Sequence, residues 1–365
     1  MKNNTTTKQK KAGLYDPYLD IMGGGERHIL SILQVLESEG YDVTIFWDND
    51  LAKQIQNKLK LSFHSLTFEK NIFTSGTPYH RLQELQKYDL LLYVTDGSYF
   101  VSPSKNTYIF CMVPDKKLYN MNLVNKAKTA NATFITNSIF TNTWLEKWGL
   151  KPFVIHPYIA DAFLETSLEY PKEKIILSVG RFFPHLHSKR QDVAIERFIQ
   201  LKMQYPQFEE YALHLAGSVT REDQDYLKEL RVKSAHDRSI IFHENIEYQR
   251  LVNLYKSAKY YWHFAGYGVD EAIHPEKTEH LGITPLEAMA SGCITFAYSA
   301  GGPKELIFNG KNGYLFENQK QLFFLMEQID QDQEQSNSIK STAQKFVQNN
   351  FSYEIFSQRV KEVLL

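Results

Sequence analysis

Two glutamates stand on either side of a short turn in EKTEHLGITPLEAMASGC, residues 276–293. Thr284 and Pro285 predict the start of a helix, with Thr284 as the cap and Pro285 as the first helical residue. Glu287 then fits a capping box, which is the purely structural interpretation of that residue. Glu279 and Gly282 precede the helix, where exposed N–H groups favour an anion and glycine permits close approach. Two carboxylates so near suit hydroxyl groups, so the stretch predicts a ligand that is part polyol and part phosphate.

Cations for such a phosphate occur in SVGRFFPHLHSKRQD, where Arg181 directly follows the predicted strand KIILSVG. Lys189 comes just before the next predicted helix. Both could reach one diphosphate from the carboxyl end of the strand. A solvated basic loop is the alternative, and it is the interpretation adopted for Arg190.

A third feature is the glycine-rich turn IMGGGERHIL, residues 21–30, which leads into the first predicted helix. It lacks the G-x-G-x-x-G spacing, so a dinucleotide fingerprint is disfavoured. Its backbone N–H groups could still approach a phosphate or a sugar. A flexible linker turn is the alternative.

Other site chemistries find little support in the sequence. His185 and His187 lack companion acids or cysteines, so zinc is not predicted, and no metal ligand or cofactor is assigned. Lys plus Arg total 41 and Asp plus Glu total 42, so net charge gives no sign of a nucleic-acid partner. Four loop acids are interpreted as solvated: Asp16, Asp20, Asp48 and Asp50.

Strand-like and helix-like patterns alternate along the chain, which is typical of parallel sheets covered by helices. The predicted fold class is α/β, with two Rossmann-like, doubly wound parallel-sheet domains that face a cleft. We expect a first domain over residues 1–165, with a disordered tail at 1–9, and a second over 166–345. Residues 346–365 are expected to form a C-terminal helix that packs back on the first domain.

The surroundings of the protein are predicted from what the sequence lacks. No run approaches the roughly 20 apolar residues of a membrane span, and MKNNTTTKQKK is not followed by a secretory apolar segment. Cys111 and Cys293 are interpreted as buried free thiols, which favours a cytoplasmic location. Lys116, Lys117, Lys126 and Lys128 could contact an anionic membrane surface at its inner face, although a solvated helix face is the favoured alternative.

Taken in order, these stretches resemble the family-4 retaining glycosyltransferases, which have the GT-B fold. E-H-L-G-I-T-P-L-E-A-M-A-S-G resembles that family's E-x7-E element, and S-V-G-R-F with S-K-R-Q-D resembles its donor-phosphate element. A-G-G-P-K-E-L-I, G-G-G-E-R-H, F-I-T-N-S-I-F-T and V-I-H-P-Y-I resemble further segments. The similarity runs through nearly the whole chain, and the ordered co-occurrence of the segments is its specific feature.

The resemblance implies a role for each matching residue. Glu279 would contact the donor sugar, Glu287 would hold the ribose hydroxyls, and Arg181 with Lys189 would bind the diphosphate. The remaining donor-binding positions implied are Gly24, Gly25, Asn245, Ile246, Gly282, Ile283 and Thr284. The reaction implied is a metal-independent hexosyl transfer from a UDP- or GDP-linked sugar to an acceptor hydroxyl, with retention at the anomeric carbon. The acceptor would be a saccharide or a lipid-linked saccharide in glycan, polysaccharide or glycolipid synthesis.

Two departures from the family pattern bear on the acceptor and the sugar. Residues 101–121 contain no histidine, whereas many relatives carry a catalytic-loop histidine in the first domain. Residues 266–278 are longer than the usual link before the first glutamate, and Asp270, Glu271 and His274 there either shape the sugar pocket or belong to a surface excursion. Two other functions stay open: a nucleotide-sugar epimerase, and a non-catalytic nucleotide-sugar-binding partner of another transferase.

Overall fold

The computed structural model describes residues 9–185 and 188–365. They form two compact units, of which the first runs to His156 and adds Phe356–Leu365, and the second is Pro157–Ile355. Most of the tail expected to be disordered therefore lies outside the described residues.

The unit boundaries differ by about ten residues from the expected limits of 165 and 345, and the difference has a packing reason. Ile159 and Phe163 lie in an apolar core of the second unit, which draws the first boundary forward. Val347 and Phe351 lie in the same core, so the chain leaves the second unit later than expected.

The first unit is built on a parallel sheet with the strand order β3-β2-β1-β4-β5-β6-β7. The strands are β1 (Lys10–Tyr15), β2 (Tyr41–Phe46), β3 (Thr67–Glu69), β4 (Leu90–Val94), β5 (Asn106–Cys111), β6 (Ala132–Thr136) and β7 (Phe153–Val154). The helices among them are α1 (Gly24–Ser38), α2 (Ala52–Gln54), α3 (Pro78–Leu85), α4 (Leu123–Lys128) and α5 (Ile139–Lys147).

The second unit repeats this plan, with the strand order β10-β9-β8-β11-β12-β13 in a parallel sheet. Its strands are β8 (Glu173–Val179), β9 (Ala212–Gly217), β10 (Ile240–Glu244), β11 (Ala258–His263), β12 (Ile294–Tyr298) and β13 (Tyr314–Phe316). Its helices are α6 (Asp161–Leu164), α7 (Gln191–Gln204), α8 (Gln224–Ser234), α9 (Tyr248–Ser257), α10 (Ile283–Ala290), α11 (Pro303–Leu306), α12 (Gln319–Gln331) and α13 (Gln333–Phe351).

Strand β8 shows why these segments form a central sheet. Ile176 packs into one apolar core, and its neighbours Ile175 and Leu177 pack into another. Alternate side chains of an extended strand point to opposite faces, and parallel strands covered on both faces are apolar throughout. The predicted alternation of strands and helices is thereby confirmed, as are the buried free thiols of Cys111 and Cys293.

The last helix, α14 (Tyr353–Leu364), begins in the second unit and ends in the first. There the hydroxyl of Tyr108 lies 3.3 Å from the carbonyl oxygens of Val363 and Leu364. Phe356 contacts the buried ring of His28 on α1. The apolar stripe that the sequence shows at the end of the chain covers this surface.

Candidate active site

The two central strands of the second sheet, β8 and β11, are neighbours although β9 and β10 lie between them in sequence. At such a switch point the loops leave to opposite sides and open a crevice at the carboxyl edge, where ligands of this fold class bind. Strand β8 ends before Gly180 and Arg181, and β11 ends at His263. The predicted cationic loop is therefore carried to the edge where β11 also ends.

Glu279 lies at this edge, and its carboxylate contacts two basic side chains. Oε2 accepts a hydrogen bond from Lys189 Nζ, and His263 Nε2 lies 2.9 Å from the same oxygen. Lys189 and Glu279 are only 19% and 14% exposed. The side chain of Lys189 passes over Gly180, where an added Cβ would lie 2.3 Å from Lys189 Cγ.

This environment determines the charge of the glutamate. Burial alone would raise the pKa of Glu279, but the ammonium of Lys189 and the adjacent His263 outweigh it and hold the pKa well below its usual range. Burial lowers the pKa of His263, against the opposing effect of the Glu279 carboxylate. The cluster thus pairs an ionised carboxylate with an ammonium and an imidazole whose neutral form is favoured.

Arg181 lies beside β8 but is engaged with a different acid. Its Nε and Nη2 donate to Asp223 Oδ2 at 3.1 and 3.0 Å, and its guanidinium stacks 4.7 Å from the ring centre of Phe183. Asp223 also accepts from the Thr220 hydroxyl at 2.7 Å. With 40% of its side chain exposed, Arg181 presents a fixed guanidinium to solvent.

The helix after Glu279 begins earlier than predicted. Gly282 has a φ of +111° and precedes α10, so Ile283 is its first residue, and the prediction of Thr284 as the cap is wrong. Glycine enters this left-handed region without steric cost, and proline is tolerated within the first helical turn because its missing N–H has no acceptor there. The Thr284 hydroxyl is buried and has no hydrogen-bond partner among the described residues.

Glu287 is consequently not part of a capping box. Its carboxylate accepts a hydrogen bond at 2.9 Å from the hydroxyl of Tyr255 on α9. Burial, together with the Glu287 carboxylate, raises the pKa of Tyr255 well above its usual value, so the phenol stays protonated and donates.

The glycine pair Gly301-Gly302, between β12 and α11, supports Glu279. Gly302 N–H donates to the carbonyl oxygen of Glu279 at 2.7 Å. An added Cβ on Gly301 would lie 2.1 Å from that same oxygen, and one on Gly302 would lie 2.3 Å from Leu281 Cα. Both residues must therefore be glycine for the two loops to touch.

Asn245 and Ile246, two of the implied donor-binding positions, follow β10. Asn245 has a φ of +48°; its N–H donates to Gly217 O at 2.8 Å, and its Oδ1 accepts from Val219 N at 3.1 Å. It thereby joins the loops after β9 and β10. Ile246 borders one apolar core of the unit.

In the first unit, Gly24 and Gly25 open α1, as the glycine-rich turn indicated. Glu26 Oε2 accepts from Gly23 N–H at 2.6 Å and closes the helix start. Gly25 packs against Met112, whose Sδ would lie 2.5 Å from an added Cβ. These glycines thus serve close packing here, and their role in binding stays a prediction.

Two side chains interpreted as solvated are not. Asp16 follows β1 and is fully buried; its Oδ1 accepts from Tyr18 N at 2.9 Å and its Oδ2 has no partner among the described residues, while burial raises its pKa to about 7. Arg190 donates to Asp192 through Nε and Nη2, and to Tyr267 O at 2.7 Å through Nη1. Tertiary packing buries Asp16 and brings Tyr267 to Arg190, and local composition encodes neither.

His263 is the functional candidate that the sequence interpretation missed. A histidine that ends the apolar run YYWH is a polar residue at the carboxyl end of a buried strand, and that signal could have identified it. The histidine pair considered for zinc falls partly outside the described residues, because His187 is among those not described.

The family model "Glycosyl transferases group 1" matches residues 161–346, which is half of the chain and includes every site element described in the second unit. The chain belongs to this glycosyltransferase family. The α-1,3/1,6-mannosyltransferase ALG2 of Kluyveromyces lactis is 23% identical over 82% of this chain and 71% of its own length. The homologous enzyme of Schizosaccharomyces pombe is 26% identical over 50% of this chain, which spans only 40% of that relative.

Solved structures extend the similarity to the fold of the whole chain. HepE from Anabaena, crystallised with UDP and glucose, superposes with a TM-score of 0.69 at 18% identity, covering 97% of this chain and 99% of HepE. Structural neighbours of this kind are GT-B glycosyltransferases, so the α/β fold class predicted from the sequence is confirmed.

Proposed function

We propose that this protein transfers a sugar from a nucleoside diphosphate to an acceptor hydroxyl, with retention at the anomeric carbon and without a metal ion. The observation that carries the proposal is the cluster of Lys189, Glu279 and His263 at the switch point of the second sheet. Membership of a glycosyltransferase family gives this cluster its chemical context.

In the proposed reaction, positively charged groups lower the barrier because they lie where negative charge develops on the leaving diphosphate. As the bond from the sugar to the diphosphate breaks, the leaving group gains negative charge and the sugar becomes cationic. Lys189, Arg181 and the backbone N–H groups at the start of α10 would stabilise the diphosphate. An ammonium has three donors, so Lys189 can keep its bond to Glu279 while it binds a phosphate oxygen.

The two glutamates take different parts in the proposal. Glu279, held ionised by its neighbours, would orient hydroxyl groups of the donor sugar. Glu287, fixed by Tyr255, would accept hydrogen bonds from the ribose. The donor is left open between UDP- and GDP-linked sugars, since HepE was crystallised with UDP and glucose whereas the ALG2 relatives are mannosyltransferases.

The acceptor side of the proposal includes a membrane contact by the first unit. Leu123 and Val124 on α4 are 86% and 62% exposed, and residues 116–131 carry four lysines and no acid. Exposed apolar side chains among lysines are typical of surfaces that lie on anionic lipid, which supports a lipid-linked acceptor. No helix in the described part of the chain is long and apolar enough to cross a membrane.

The test is a donor screen followed by product analysis. We expect one UDP-, GDP- or ADP-linked sugar to raise the melting temperature by mass action, and the same donor to be consumed with a saccharide acceptor in the presence of a chelator. Proton NMR of the product should show the anomeric configuration of the donor. Conversion of the donor into an epimeric nucleotide sugar without any acceptor would instead identify an epimerase, and binding without turnover a non-catalytic partner.

A further inference from the structure

The segment 266–278, which joins β11 to Glu279, is tied at its start to the cationic loop. Tyr267 O accepts a hydrogen bond from Arg190 Nη1 at 2.7 Å, and Tyr267 Oη lies 3.3 Å from Arg197 Nη2. Arg190 is the residue after Lys189 and has a φ of +50°, a conformation that is unfavourable outside glycine and needs such support. The start of the segment is thus fixed beside the partner of Glu279.

The middle of the segment is tied to the glycine turn. Glu271 Oε2 accepts from Gly301 N–H at 2.7 Å, and Glu271 Oε1 accepts from Lys304 Nζ at 2.7 Å. Hydrogen bonds that involve an ionised group are shorter and about twice as strong as neutral ones. One carboxylate therefore holds both a backbone amide of the turn and the first turn of α11.

The turn held by Glu271 is itself in backbone contact with Glu279. Gly302 N–H donates to Glu279 O at 2.7 Å, and neither Gly301 nor Gly302 has room for even a methyl group against residues 279–281. A displacement of the turn must therefore displace the backbone of Glu279. In the described part of the chain, Asp270 and His274, which the sequence also suggested for the sugar pocket, contact only neighbours within the segment through their side chains. Asp270 accepts from Ala272 N, and His274 contacts Glu276.

We propose that Glu271 is a positioning residue for Glu279: by binding the Gly301 N–H and the Lys304 ammonium, it holds the glycine turn against the backbone of Glu279. The inference rests on the proposed sugar transfer and deepens it. Segment 266–278 is then a brace around the site, which joins the Lys189 loop to the Glu279 loop, and it is not a surface excursion.

The kinetic test compares Glu271→Ala with Glu271→Gln, which keeps an acceptor for Gly301 N–H. We expect the alanine variant to lose about 10- to 100-fold in kcat, because a misplacement of about 1 Å can cost 100-fold, with a smaller change in donor KM. The glutamine variant should recover most of the loss. Glu276→Ala is the matched control, since Glu276 lies on the same segment but contacts His274, and it should keep wild-type turnover.

A second measurement tests the brace without relying on activity. Hydrogen exchange should be faster in the peptide that contains Gly302 for Glu271→Ala, and unchanged for Glu276→Ala. If the alanine variant fails to fold, Glu271→Asp replaces it, because its shorter side chain cannot reach both partners. Wild-type kcat and unchanged exchange in the Glu271 variants would overturn the proposal. If the wild-type protein transfers no sugar, but hydrogen exchange is still faster in Glu271→Ala than in the wild type, only the proposed function is overturned.

Discussion

Lys189 and Glu279 form an ion pair although 90 residues separate them in sequence. The lysine comes from the loop after β8, and the glutamate from the loop before α10. A mostly buried pair of this kind rarely contributes much net stability, because desolvation offsets the attraction. Its location at a sheet switch point is better explained by binding, and this gives the first prediction.

Replacing Lys189 by alanine should lower kcat by about 100- to 1,000-fold, as expected when one stabiliser of developing charge is removed. Glu279→Ala should likewise abolish measurable turnover, because the donor sugar loses its orienting carboxylate. Steady-state kinetics with the donor found by the screen measures both. Lys202→Ala is the control, since Lys202 is equally buried and paired with Asp237. Near-normal turnover by either purified site variant would contradict the assigned roles.

The buried carboxyl of Asp16 should make stability depend on pH in an unusual direction. Its pKa is about 7 in the folded protein against an ordinary 3.8, so the folded state binds the proton more tightly. The free-energy cost of burying the Asp16 carboxyl therefore grows as the pH rises from about 4 to 7, by about 1.4 kcal/mol for each pH unit.

Asp16→Asn should accordingly stabilise the protein by a few kcal/mol more at pH 8 than at pH 4, because each pKa unit corresponds to about 1.4 kcal/mol. Urea unfolding at the two pH values measures the difference. Equal effects of Asp16→Asn at both pH values would mean that folding does not raise the pKa of the Asp16 carboxyl.

Two glycine-to-alanine variants should differ because their neighbours differ. Gly302 has helical dihedral angles, φ −57° and ψ −34°, so alanine suits the backbone, but its Cβ would meet the backbone of Leu281 at 2.3 Å. We expect Gly302→Ala to cost about 1–3 kcal/mol, the usual range for overpacking. Gly25→Ala would meet the flexible end of Met112 and should cost less. Thermal unfolding of both variants decides, and equal losses would refute the packing argument.

Membrane contact by the first unit predicts binding to anionic vesicles. Wild-type protein should sediment with phosphatidylserine vesicles at low salt, and Leu123→Ser with Lys126→Gln should weaken this binding by several-fold, since each lysine near such a surface contributes about 1 kcal/mol. Lys228→Gln, an exposed lysine on α8, is the control. If wild-type and doubly substituted protein sediment alike, α4 is a solvated helix face.

The sequence predicted the sheets well because buried parallel strands are continuous apolar runs, which can be recognised in a short stretch of sequence. KIILSVG and YYWHFAG both proved to be central strands. Residues 51–86 received no assignment, since β3, α2 and α3 are short and mostly polar. The long helices α12 and α13 were also missed.

Within the candidate site, residue types were easier to predict than their partners. Arg181, Lys189 and Glu279 were selected from their positions at strand and helix ends. That Arg181 pairs with Asp223 while Lys189 pairs with Glu279 depends on how distant loops meet. The early start of α10 depends on a positive φ at Gly282. The sequence predicts the cap at Thr284 instead, because a threonine followed by a proline is typical of a helix start.

The course of helix α14 has a practical consequence for protein engineering. Phe356 contacts His28, and the backbone of Val363 and Leu364 accepts from Tyr108, so the first unit is built from two separate stretches of the chain. A chimera that borrows only residues 1–156 would carry a unit with an uncovered apolar surface. Grafts that exchange the first unit between relatives should therefore include residues 356–365 as well.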